Sequence, residues 1–196
     1  EMVSGQGYQI KIYEEVILTY PANGSCYSET DENCITNNTI EIGDEIHGGI
    51  VFYVDSTGQH GLVASQYDVN PNAMLWGCVW EEINGADGEQ LGTGLQNSLD
   101  IQANCDDNNI AAKECLSYSF NNYDDWYLPS INELELMRNT VGQGGNNGNI
   151  MELNNSWYWS STEVDLQFAK RLNATTGLIL NDSKGNYNNV RPIRSF

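Results

Sequence analysis

Positive charge is what this chain has least of. Eight lysines and arginines stand against 27 acidic residues, a formal net charge of -19. A surface of that sign repels phosphate backbones, anionic lipids and sulfated glycans, so the charge argues against nucleic acid as a partner. Histidine is scarcer still: His47 and His60 both flank glycine turns, and no Gly-x-Ser-x-Gly surrounds any serine. A serine or cysteine nucleophile activated by a nearby base is therefore not expected. No cysteine lies in a Cys-x-x-Cys or close to either histidine, so the usual zinc spacing is missing. No run approaches the ~20 apolar residues of a membrane span. There is no internal repeat, heptad or long low-complexity segment.

What is present points to a secreted α+β protein. The 196 residues suit one domain, or one domain with a small appendage. A domain of about 150 residues buries roughly 68 to 70% of its unfolded surface, enough for a core without a metal staple. Five cysteines with abundant Asn, Gly and Tyr indicate an extracellular location. Cys26 with Cys34, and Cys105 with Cys115, each bracket a short loop and are candidate disulfides. Cys78 is then left over, as a buried thiol, an intermolecular bridge or a sign of different pairing. The chain opens at Glu1 without a signal peptide, which is expected of a processed chain or a piece of a longer one.

Along the chain, Tyr8 to Tyr13 and Val16 to Tyr20 read as a hairpin or two edge strands ending at Pro21. Residues 22 to 41 are polar and cysteine-clipped, so 1–41 is expected to be an appendage and 42–196 the main domain. Gly49 to Asp55 is an unbroken apolar strand that turns at Ser56-Thr57-Gly58 into Gly61 to Ala64. Trp76, Cys78 and Trp80 lie among glycines and acids in a loop region. Leu95, Leu99 and Ala103, at i, i+4 and i+8, indicate a first helix, and Ile110 to Tyr118 a shorter one with Ala111, Ala112 and Cys115 inward. Gly142 to Asn149 is expected to be an exposed loop. Ser156 to Ser161, Leu166 to Leu172, Leu178 to Asn181 and the terminal residues 190 to 196 supply the closing strands. Strands gathered before and after the helices indicate α+β rather than alternating β/α.

The centre of the chain is Asp124 to Met137. Pro129 bars helix upstream, and Ser130 with Glu133 three residues on forms a capping box. Ile131, Leu134 and Met137 then make an apolar stripe at helical spacing. Three stretches carry a resemblance: Asp125-Trp126-Tyr127-Leu128-Pro129-Ser130-x-x-Glu133-Leu134, Tyr158-Trp159-Ser160-Ser161-Thr162-Glu163, and Val190-Arg191-Pro192-Ile193-Arg194-Ser195-Phe196. Together they resemble the Lcl C-terminal domain family, a major paralogous domain of bacterial surface proteins, over about Ile42 to Phe196. The resemblance implies a C-type-lectin-like fold, with two main helices on antiparallel sheets and the N- and C-terminal strands paired. Trp126, Pro129, Ser130, Glu133 and Trp159 are then structural, and Arg191 and Arg194 are expected to be so too, one of them pairing Asp125 or Glu133 to lock the terminal strand against the helix, with anion capture as the alternative. The phrase Gly5-x-Gly7-Tyr8-x-Ile10-Lys11 is similar to closing strands of modules in Bacteroidetes surface proteins.

The implied function is noncatalytic recognition or adhesion at the cell surface or outside it, not enzymatic turnover. The expected ligand is a glycan or a protein, met by loops and late strands at Glu163, Asp165, Asn181, Asp182, Lys184, Tyr187 and Asn188. Tyr and Asn suit that task through contact area and adaptable hydrogen bonds. The alternative is a structural subunit or cap of a surface assembly, docking a neighbouring subunit through strands within residues 8 to 20. No cofactor is required. Calcium is the metal least excluded by the composition, with Asp106, Asp107 and Asp124 as its oxygen donors, although the Glu-Pro-Asn or Gln-Pro-Asp triplet of many C-type lectins is absent.

Overall fold

The computed structural model describes residues 39–146 and 148–196, and the backbone of two strands before them. The chain divides into two compact units, Glu1–Thr39 and Ile40–Phe196. In the first, β1 (Tyr8–Ile12) and β2 (Val16–Tyr20) pair antiparallel, Tyr8 opposite Tyr20. Cys26 and Cys34 lie outside the described residues.

The second unit is α+β, with short antiparallel sheets and three helices. Its strands and helices are, in order, β3 (Glu45–Ile46), β4 (Gly49–Val54), β5 (Gly61–Ala64), β6 (Met74–Leu75), α1 (Gly94–Asn104), α2 (Ala111–Ser117), α3 (Ile131–Thr140), β7 (Trp157–Glu163), β8 (Phe168–Asn173), β9 (Ile179–Ser183), β10 (Tyr187–Asn188) and β11 (Ile193–Ser195). β4 and β5 form the hairpin that the glycine turn predicts, and Gly49 to Phe52 are buried as a continuous apolar run requires. The sheet order is β11-β5-β4-β3. The expectation that the domain's first and last strands pair is therefore corrected: β11 lies on β5, the return strand of the hairpin, with Ile193 opposite Ala64. β4 has its other edge taken by β3, which leaves β5 as the open place for the chain's end. No described helix is long and apolar enough to cross a membrane.

α3 begins as its sequence predicts. The Ser130 hydroxyl accepts from the Glu133 amide at 3.3 Å, and the Glu133 carboxylate accepts from the Ser130 amide at 2.7 Å. Ile131, Leu134 and Met137 are buried against Phe52, Leu62, Tyr158 and Leu172. Removing each such side chain from water contributes roughly 1.5 to 3 kcal/mol.

α1 is built differently. Leu95 and Leu99, the residues that mark it as a helix, are 43% and 41% exposed, and Ala103 is exposed too. The buried face is Gly94, Asn97, Ser98 and Ile101. Asn97 Nδ2 donates to the Gly88 carbonyl at 2.7 Å and to Ser161 Oγ at 3.1 Å, while its Oδ1 accepts from the Gly88 amide. The Ser98 hydroxyl accepts from the Leu128 amide at 3.1 Å. α1 is thus docked by hydrogen bonds around one isoleucine. Ordinary burial cannot remove these polar groups from water unless each finds a partner, and each does.

The disulfide expectation is also corrected. Cys105 bonds Cys78, with Cα atoms 5.7 Å apart, and Cys115 is a buried free thiol. Cys115 projects from within α2 into the apolar cluster, whereas Cys105 ends α1 and meets the Cys78 loop across a separation that bridges readily. Burial raises the Cys115 thiol well above its ordinary range. A loop of 27 residues closed this way stabilises the fold by about 3.5 kcal/mol in the chain-entropy account.

Candidate recognition surface

Most residues of the three motifs face inward, Asp125 and Ser195 being exposed. Trp126 and Trp159 are fully buried, and their indoles donate to the carbonyls of Tyr123 at 3.1 Å and Met74 at 2.9 Å. Arg194 grips Asp125 with two bonds, at 2.5 and 2.8 Å, and lies over the Tyr123 ring. This contact holds the Asp125 carboxyl below its usual range. Arg191 pairs with Asp68 at 2.7 Å and donates to the carbonyls of Ser65, Gln66 and Met151. Glu133 pairs with neither arginine: it accepts from the amides of Ser130 and Gly92. The motifs therefore hold the scaffold together, and recognition must be sought in the loops they leave outside.

Of the seven residues expected to face a ligand, four are turned in. Lys184 is fully buried: its ammonium contacts Glu163, donates to the Glu81 carbonyl at 2.7 Å and sits 4.8 Å from the centre of the Trp76 ring. Glu163 also accepts from the Ile83 amide at 3.0 Å through both oxygens; burial raises its carboxyl, and the Lys184 contact opposes that. Asp182 pairs with Arg171 at 2.8 Å, and Asn188 donates to Asp182 at 3.1 Å. Glu163, Asp182, Lys184 and Asn188 are corrected to interior residues, because a buried charge must be paired to be tolerated. Asp165, Asn181 and Tyr187 remain outside, Tyr187 at 66% exposure. Asp165 also caps its own turn, accepting from the amides of Gln167 and Phe168.

The buried Lys184 pair supports a feature that residue patterns alone did not single out. Loop 76–83 runs above it and carries Trp80 at 67% exposure. Gly77, Cys78 and Trp80 all adopt positive φ, of 106°, 47° and 75°. Left-handed backbone is rare for a bulky aromatic and costs of order 1 to 3 kcal/mol, so it persists only where surroundings over-determine it. They do so here. The disulfide holds Cys78, whose amide also donates to Asp107 at 2.7 Å. The Trp80 amide donates to the Leu166 carbonyl at 2.7 Å, and the Gly77 amide to that of Lys184. A Cβ at Gly77 would come within 2.7 Å of the Ile110 side chain. Beside Trp80 the turn between β7 and β8 exposes Val164 and Leu166, and Glu81 and Glu82 continue the loop in water. The sequence signal was composition only, a tryptophan among glycines and acids.

The metal candidates do not come together. Asp107 is engaged by Cys78, and Asp124 lies on another part of the surface, lining a recess with Leu95 and Trp126. Cys78, Cys105 and Asp107 are near one another, but the two sulfurs are joined as a disulfide and offer no thiolate.

A model of the Lcl C-terminal domain family matches residues 73–194. None of the curated proteins matches the chain. Among solved structures, a fimbrial protein from Bacteroides ovatus is similar, with a TM-score of 0.50 and 19% identity over 89% of this chain and 47% of that one. The chain thus spans about half the length of that protein, and the likeness is one of fold.

Proposed function

The chain belongs to the Lcl C-terminal domain family, and from that premise we propose that it is a noncatalytic recognition or adhesion domain of a secreted or cell-surface protein. The observation that carries this reading is Trp80, a large aromatic held in water on a loop whose strained backbone is cross-linked and hydrogen-bonded into one conformation. Exposed tryptophan on a preorganised loop offers contact area at low entropic cost, as recognition requires. Trp80, Leu166 and Tyr187, with Asp165 and Asn181, form the face we assign to a glycan or protein ligand. We read the fold as C-type-lectin-like, because its terminal strand seals an opening hairpin and its late loops are free for display. No cofactor enters the reading, so chelation of calcium is expected to leave binding unchanged.

The test is a glycan array and a surface-protein binding screen run with the parent chain, Trp80→Ala and Tyr187→Ala. Loss of roughly tenfold or more in Trp80→Ala, with the melting temperature kept, is the expected outcome. Full binding by both variants would sink the assignment.

A second reading draws on the likeness to a fimbrial protein: the chain is a subunit or cap of a surface assembly, docking through the β1–β2 hairpin. Deleting residues 1–20 and finding the oligomeric state unchanged by light scattering would dispose of it.

A further inference from the structure

The outward side of α1 carries Leu95 and Leu99, with Leu91 one turn earlier, each more than 40% exposed. Leucines four apart on one helix form a continuous stripe. Elsewhere in this unit such a stripe is covered, as on α3; on α1 the opposite face makes the contacts with the fold. The stripe leads into a recess of about 150 Å³ lined by Leu95, Leu116, Ser195, Asp124 and Asp125 over the buried Trp126 and Tyr127. Asp125 is neutralised by Arg194. Asp124 is exposed and forms no ion pair with any described residue, and α1 itself contains no basic side chain.

We infer that the α1 face and this recess are a docking surface for a cationic amphipathic segment of a partner protein. Its apolar side chains would cover Leu95 and Leu99, and a lysine or arginine would lay its aliphatic stem in the recess with the charge at Asp124. Charge selects this occupant. A second copy of the chain would bring another formal -19 to the contact, and anionic glycans meet the same repulsion. A helix face with leucines at four-residue spacing beside a mainly apolar recess fits recognition of a peptide by an apolar groove. The surface is separate from the Trp80 loop, so the inference does not rest on the function proposed above.

The experiment is an NMR titration of the whole chain with two synthetic peptides, one of alternating leucine and lysine character and one with every lysine replaced by glutamate. The lysine peptide is expected to bind saturably, shifting Leu95, Leu99, Leu116 and Tyr127, and to weaken as salt rises. Leu99→Ser should weaken it roughly tenfold, and Asp124→Lys should abolish it while leaving binding at the Trp80 face intact. Equal binding of the glutamate peptide, shifts centred elsewhere, or no saturable binding would each overturn the proposal. So would a dimer of the parent chain that Leu99→Ser dissociates, since the occupant would then be a second copy.

Discussion

α3 and α1 are near-equal in length and both carry apolar residues at helical spacing, yet they are held in opposite ways. α3 turns its stripe inward onto β4, β7 and β8 and starts with a complete capping box. α1 has no side-chain cap, turns its leucines outward and meets β7 and the 86–93 loop through asparagine and serine. The difference teaches that periodicity identifies a helix but not the side it buries. Hydrophobic attraction is non-directional, so a stripe is covered only where the topology supplies apolar surface opposite it. Opposite α1 the chain supplies backbone carbonyls and amides of Gly88 and Leu128, and the polar face wins because it alone can satisfy them.

The comparison can be broken by substitution. Leu134→Ala, beneath α3, is expected to lower stability by about 2 to 5 kcal/mol in a denaturant titration, as buried leucine truncations do. A change under 1 kcal/mol would mean that α3 is not the apolar anchor. Asn97→Ala should cost about 1 to 3 kcal/mol, because it leaves the half-buried Gly88 amide without its acceptor and the Ser161 hydroxyl without its donor, the Gly88 carbonyl keeping only Thr162; a neutral result would remove the claim that α1 is docked by hydrogen bonds. Two acids of the central motif, Glu133 in α3 and Asp125 just before it, respond to pH in opposite senses. Burial raises the Glu133 carboxyl above its ordinary 4.5, against the amide hydrogen bonds that pull it down. At Glu133 the folded state therefore holds its proton to higher pH than the unfolded chain, so this residue's contribution is present below pH 4.5 and is lost as pH rises through its folded value. Asp125 has the reverse sign: Arg194 lowers its carboxyl from 3.8, so its contribution is present above 3.8 and lost on acidification. Melting curves across pH should show Glu133→Gln removing the first slope and Asp125→Asn the second. Smallest of all, Leu99→Ala should shift stability by no more than about 0.5 kcal/mol.

Much of the scaffold was legible in the residues. The Pro129-Ser130-x-x-Glu133 start of α3 and the hairpin at Ser56-Thr57-Gly58 rest on local chemistry or on short-range pattern, and both are present; the arginine on Asp125, 69 residues away, was one of two partners expected and is Arg194. The misses share a cause, which is contact between residues far apart in the chain. Cys105 joined Cys78 and not its nearer neighbour, because α2 turns Cys115 into the core. Lys184 and Glu163 are polar in sequence and read as surface, but each is the other's partner beneath loop 76–83. Trp80 was legible as a loop tryptophan; that it stands in water depends on backbone torsions no residue pattern reports.

The Cys78–Cys105 bond ties the Trp80 loop directly to the residue that caps the C-terminus of α1. Traction on a partner seated along α1 would reach that loop through a covalent tether, without first having to shear any sheet. Under tension the two exposed surfaces would move as one handle, and a reductant would remove the covalent part of that link while leaving the Cys78 amide on Asp107 and the hydrogen-bonded seam beneath α1 in place.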